Sequence, residues 1–150
     1  MKMIITLILV LASVFALCAC GKSVIIRYDG LYCYVYDSGS GGMKNNSVFR
    51  FFEDGTVIHS TIRQTDRSSD YYPMDSWFNK NFSKDHVSKY KVTSNKIEFT
   101  NNGELGSVDY WGNVFEDYLI LNSHSNINGH EESDIKYVFI PFDEVPGWYD

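Results

Sequence analysis

Cysteine is scarce in this chain of 150 residues, with only Cys18, Cys20 and Cys33. Proline is equally rare, at three, and 13 Lys plus Arg face 19 Asp plus Glu. Each shortage excludes something. The first two cysteines fall together at the end of an N-terminal apolar segment, so Cys33 is left alone in the domain and no disulfide framework is available; stability must come from a packed core. Its strand-like setting, Leu31-Tyr32-Cys33-Tyr34-Val35-Tyr36, reads as that of a buried, inert thiol. The acidic balance argues against nucleic-acid binding and against a polybasic grip on anionic lipid. No apolar run reaches the ~20 residues of a membrane-spanning helix. His59, His86, His124 and His130 show no compact metal spacing such as His-Glu-x-x-His. No Gly-x-Ser-x-Gly elbow appears, and no glycine loop leads into a lysine-bearing helix, so nucleophilic and nucleotide chemistry lack a motif. The segment His124–Ile135 partly mimics a calcium loop through Asn126, Asn128 and Gly129, but His124 and Ile135 stand where the first and last carboxylates belong. Adjacent carboxylates, Glu53-Asp54, Glu116-Asp117 and Glu131-Glu132, read as solvated turns. No cofactor and no metal site are expected.

What is present begins at the N-terminus. Lys2, the apolar stretch Met3–Leu17 and the small residue Ala19 have the pattern of a secretory signal. Leu17-Cys18-Ala19-Cys20 resembles the lipobox of bacterial lipoproteins, which implies cleavage before Cys20 and acylation of its thiol. Residues 1–19 would then be the signal peptide, 20–28 a lipidated tether and 29–150 the domain. Acyl chains stabilise insertion by ~0.8 kcal/mol per buried methylene, so two or three give a durable membrane anchor. Loss of Lys2 leaves 12 basic against 19 acidic residues. Gly21 and Lys22 form no acidic sorting pair, which points to the outer membrane, facing the periplasm.

Aromatic residues make up 16% of the chain, mostly 11 Tyr and 10 Phe, a composition suited to pleated, half-buried strands. Strand signals run over 30–37, 47–52, 56–63, 87–93, 96–101, 107–115, 118–123 and 135–141. They are separated by turn chemistry such as Asp54-Gly55, Ser94-Asn95 and Asn102-Gly103. The loops 38–42 and 125–134 are polar. One short helix is expected over 74–82, where Met74, Trp77, Phe78 and Phe82 recur at helical spacing after Pro73, with the plugging of one barrel end as its simplest role. Short links between about eight strands predict an all-β antiparallel meander that closes into a barrel.

Gly30-Leu31-Tyr32, the hairpin Phe51-Phe52-Glu53-Asp54-Gly55-Thr56-Val57 and the later strand pairs resemble bacterial lipocalin-like domains over roughly 29–142. Tyr32 stands where that family places an inward tryptophan. The resemblance implies an eight-stranded barrel, and the lack of catalytic motifs leads to the expectation of a non-catalytic role. If Tyr32 points inward, period-two geometry carries Tyr34 and Tyr36 inward with it. Tyr32, Tyr34 and Tyr36, together with Trp77 and Phe78, are therefore the expected ligand-binding residues, and the ligand is expected to be small and apolar or amphipathic. The alternative is a solid barrel that acts as an interaction module or inhibitor, presenting its loops to an envelope or secreted protein.

Overall fold

The structure, a computed structural model, describes residues 26–37, 44–64, 75–81 and 86–145. Cys20, the loop 38–43, the segment 65–74 with the Tyr-Tyr-Pro-Met sequence, Phe82 and the acidic tail after Val145 lie outside them. Eight strands follow in order: β1 Gly30–Asp37, β2 Lys44–Phe51, β3 Thr56–Gln64, β4 Val87–Thr93, β5 Lys96–Gly103, β6 Gly106–Val114, β7 Tyr118–Ser125 and β8 Glu131–Pro141. Each pairs antiparallel with the next, and β1 pairs with β8, so the sheet closes into a barrel. The expected all-β, eight-stranded closed meander is what the chain forms.

Local chemistry fixes the closure. At Gly30 an added Cβ would sit 2.2 Å from the Ile140 carbonyl oxygen, so only glycine lets β1 approach β8 this closely. Gly55, at φ 78°, makes the β2–β3 turn, where Phe52 N–H donates to Thr56 O at 2.9 Å and Thr56 N–H to the Asp54 carboxylate at 3.1 Å. The β3–β4 ladder is short, ending at Ile58↔Val87.

Both faces of β1 are covered, as its apolar alternation requires. Tyr32 faces the barrel interior with Phe49, Phe51, Val57, Phe99, Val114, Leu119 and Phe139. Leu31, one residue out of phase, packs outside against Val48, Ile58, Phe78 and Val145. The fold thus has two cores, one within the barrel and one plastered on the outer wall of β1–β3. Burying each large apolar side chain contributes about 1.5–3 kcal/mol.

Several boundaries differ from the sequence reading, β2 among them, which starts at Lys44 where 47 is expected. The helix expected over 74–82 is a four-residue 3-10 turn, Asp75–Phe78. A helix of two turns cannot sustain itself, and one turn suffices to deliver Trp77 and Phe78 to the outer wall. The turn covers a side of the barrel and does not plug an end. The polar loop 125–134 shrinks to Asn126–His130, because β7 runs to Ser125 and β8 begins at Glu131. Likewise β5 continues through Asn102-Gly103, so the turn falls at Glu104-Leu105. In both places the strands are polar on both faces, which removes the alternation that marks a strand. Packing also starts ahead of Asp29, since Ile26 is 3% exposed inside the barrel.

Candidate functional site

The two ends of the barrel are built from different chemistry. At the base, where the chain enters, Tyr32 is fully buried, edge-on to Phe51 at 5.6 Å and to Phe139 at 5.1 Å between ring centroids. Its hydroxyl accepts the Arg27 N–H at 3.0 Å. The Arg27 guanidinium lies 3.8 Å over the Phe139 ring and bridges Asp29 at 2.8 Å and Asp117 at 3.1 Å. Tyr90 donates its hydroxyl to the Phe52 carbonyl at 2.9 Å and meets the Tyr28 hydroxyl at 3.1 Å. Burial raises the Tyr32 and Tyr90 pKa values. This end is solid.

The far end holds a cavity of about 290 Å³. Tyr34, Tyr110 and Tyr137 form its aromatic wall, and Ser47, His59 and Thr61 supply polar groups. His130 and Glu132 complete it on the β8 side. Tyr34 and Tyr137 lie 5.6 Å apart, centroid to centroid.

A hydrogen-bonded chain crosses this end. His59 Nε2 is 2.8 Å from Ser47 Oγ, which is 3.2 Å from the Tyr137 hydroxyl. Asn101 Nδ2 is 3.3 Å from His59 Nδ1, and Ser88 Oγ donates to Asn101 Oδ1 at 3.3 Å. An amide NH₂ can only donate, so Nδ1 accepts and the proton of the neutral ring sits on Nε2, directed to Ser47. Ser47 in turn can donate to Tyr137. His59 stacks on Phe49 at 4.6 Å. Burial, with the nearby His86 as a lesser cause, pulls its pKa down to about 4, so the ring is neutral at pH 7.

Glu132 reaches the cavity because β8 is bulged. Tyr137 and Phe139 face inward, and an unbroken period of two would bring Ser133 inward and turn Glu132 out. Instead the register shifts between Leu121↔Ile135 and Ser123↔Glu132. Asp134 there takes a positive φ of 57°, and its N–H donates to Asn122 Oδ1 at 3.0 Å. The extra residue flips the phase, a recurrent way of re-aiming a side chain. Glu132 therefore turns inward, where Ser123 Oγ lies at 3.5 Å from its carboxylate, while Glu131 stays outside beside His124 at 3.1 Å.

The residues named from sequence separate accordingly. Tyr34 lines the cavity; Tyr32 is fully buried in the base and is not among the residues that line it. Tyr36 is in β1, paired with Asn45, and its side chain lies outside the described residues. Trp77 and Phe78 sit outside the barrel, in the second core. Trp77 lines a separate groove of about 530 Å³ beyond the end of the β3–β4 ladder, bordered also by His59, His86 and Asn101. The pair does not join the tyrosines in one pocket. Cys33 is half-buried against the outer core, and burial pushes its thiol up to about 12.

Ser47, His59, Asn101, Tyr110, Tyr137 and Glu132 escaped the sequence reading. Phase could have placed all but Glu132: Ser47 shares that of Phe49 and Phe51, His59 that of Val57, Asn101 that of Phe99, Tyr110 that of Val114 and Tyr137 that of Phe139. Among the described residues there is no group of three His, Cys, Asp or Glu able to hold a metal, and no helix long and apolar enough to cross a membrane. No family model, curated protein or solved structure matches this chain.

Proposed function

We propose that this chain is a bacterial envelope lipoprotein, acylated at Cys20, whose lipocalin-like barrel binds a small amphipathic molecule at its far end without transforming it. The observation that carries the binding half is the half-open 290 Å³ cavity at the mouth of a closed barrel, where aromatic walls meet a carboxylate, hydroxyls and an imidazole. Its volume is at the lower limit of ordinary ligand pockets, so the guest is small, and its polar lining favours an amphipathic guest over a purely apolar one. The anchoring half rests on Leu17-Cys18-Ala19-Cys20 behind an apolar leader.

The chain Ser47–His59–Asn101 brings together residue types used in nucleophilic catalysis. Its setting suits binding better. An imidazole with a pKa of about 4 is a weak base at neutral pH, and Ser47 Oγ is engaged with both His59 and Tyr137.

Native mass spectrometry of the full-length chain, released from its own envelope in mild detergent, tests both halves. The expected mass is that of a polypeptide starting at Cys20 with its acyl groups, plus a small molecule lost on collisional activation. An uncleaved, unacylated chain would overturn the anchor, and a bare acylated chain would overturn the carrier.

A second reading is favoured by Leu105 and Ile127, 85% and 52% exposed on the β5–β6 and β7–β8 turns. The two turns touch, since a Cβ at Gly106 would come within 2.9 Å of Ile127 Cγ1. Two bare aliphatic side chains on adjoining turns would suit an envelope or secreted protein partner, and a pull-down that a Leu105→Asp, Ile127→Asp double variant abolishes would establish it.

A further inference from the structure

We infer that the far-end cavity selects a small organic cation, an amine or quaternary ammonium. The inference rests on the carrier reading above and names its ligand class.

Three observations converge. The cavity contains one carboxylate, Glu132, and no lysine or arginine lines it among the described residues. The carboxylate is there because of a backbone irregularity. The bulge at Ser133-Asp134 costs a ladder position and holds Asp134 at φ 57°, and its consequence is to turn Glu132 from the outer surface toward the cavity mouth, where 40% of its side chain stays accessible. Such a device is the mark of a placed side chain. Finally, Tyr34, Tyr110 and Tyr137 surround the same space, and the faces of aromatic rings attract cations that have shed water.

The histidines near the carboxylate are few. His130 Nε2 is 3.9 Å from the Glu132 carboxylate, on the exposed rim, with 67% of its side chain accessible. His59, on β3, is neutral and hydrogen-bonded to Ser47 and Asn101. A guest cation would therefore meet a carboxylate and tyrosine rings around one space. Ser47, Thr61 and the Tyr137 hydroxyl offer acceptors to an ammonium N–H or to a polar substituent of a quaternary guest.

The test compares charged and uncharged molecules of one shape on the full-length protein in detergent, by calorimetric titration. The first pair is choline and 3,3-dimethylbutanol; the second is phenethylamine and phenethyl alcohol. In at least one pair the cation should bind about tenfold or more tightly than its neutral counterpart. Glu132→Gln, which keeps the size of the side chain, should remove most of that preference. Equal binding of cation and neutral partner in both pairs would overturn the inference and leave the carrier reading standing. Absence of any binding would overturn the inference too, and the small molecule retained or missing in native mass spectrometry would then decide the carrier reading separately. A preference that survives in Glu132→Gln would refute the role given to the carboxylate.

Discussion

The base and the far end of this barrel lie along the same eight strands, yet one is packed solid and the other is polar and hollow. The base is closed by rings in edge-to-face contact, Tyr32 with Phe51 and Phe139, and by Arg27 lying across Phe139. The far end replaces each of these devices with a group that forms hydrogen bonds: Ser47 on β2, His59 on β3, Asn101 on β5, Ser123 on β7 and Glu132 on β8. Phe49 is the joint between them, in contact with Phe51 and Phe99 on one side and with His59 and Tyr137 on the other. A barrel built only for stability would continue the apolar packing to both ends, because buried polar groups cost free energy unless every partner is in place. On the proposed carrier reading, the polar end is where stability is given up for recognition.

Substitutions should respect this division. Phe51→Ala at the base should cost about 3–5 kcal/mol in urea unfolding, the range for losing a buried phenylalanine. A loss below about 1 kcal/mol would mean that the base is not solid. Phe78→Ala, on the outer wall, should cost about 3 kcal/mol, at the lower limit of that range because a surface turn can settle into the gap. Asn101→Leu should cost about 1–3 kcal/mol, because it strips His59 Nδ1 of its donor while leaving the ring in place. Glu132→Gln should change stability by no more than about 0.5 kcal/mol; a large loss would make the carboxylate a structural element of β8.

Acid should separate the ends as well. His59 falls from an ordinary 6.5 to about 4 in the fold. The unfolded chain binds more protons between those values, so this contribution is complete above about pH 6.5 and is lost as pH falls toward 4. Asp54, in the base hairpin, is lowered to about 2 by the Lys80 ammonium first and by the Thr56 hydroxyl second. Its contribution is present above its ordinary 3.8 and is lost only below that. In thermal melts His59→Gln should therefore soften the decline between about pH 6.5 and 4, and Asp54→Asn only the decline below about pH 4. The Asp54 effect should be the smallest of the set, because the pair is exposed to solvent.

The same division explains how much of the fold could be read from residues alone. The base was legible: the alternation of Leu31 with Tyr32 and the Asp54-Gly55 turn predict β1 and the β2–β3 hairpin where they stand. The far end was not. There the interior is polar, so Asn102-Gly103, Ser125 and Glu131 with Glu132 carry no alternation of hydropathy and read as turn or loop. Glu132 was hidden twice, since its inward aim depends on a bulge whose sole local sign is Asp134, a residue type that tolerates positive φ. Trp77 and Phe78 misled for another reason. Helical spacing records which residues are buried together, and it is silent on whether they are buried within the barrel or against its outside. Tyr32 and Tyr34 share a face, as expected, but sit at different depths, and depth decided which of them lines a cavity.

The measurement that bears most directly on the contrast between the two ends is a high-resolution crystal structure of the full-length protein, in which ordered density can be located inside the barrel. We predict ordered water or a bound molecule within hydrogen-bonding reach of Glu132, Ser47 and the Tyr137 hydroxyl, and none among Tyr32, Phe51 and Phe139. Side chains closing the far end, with no ordered density beside Glu132, would contradict the account.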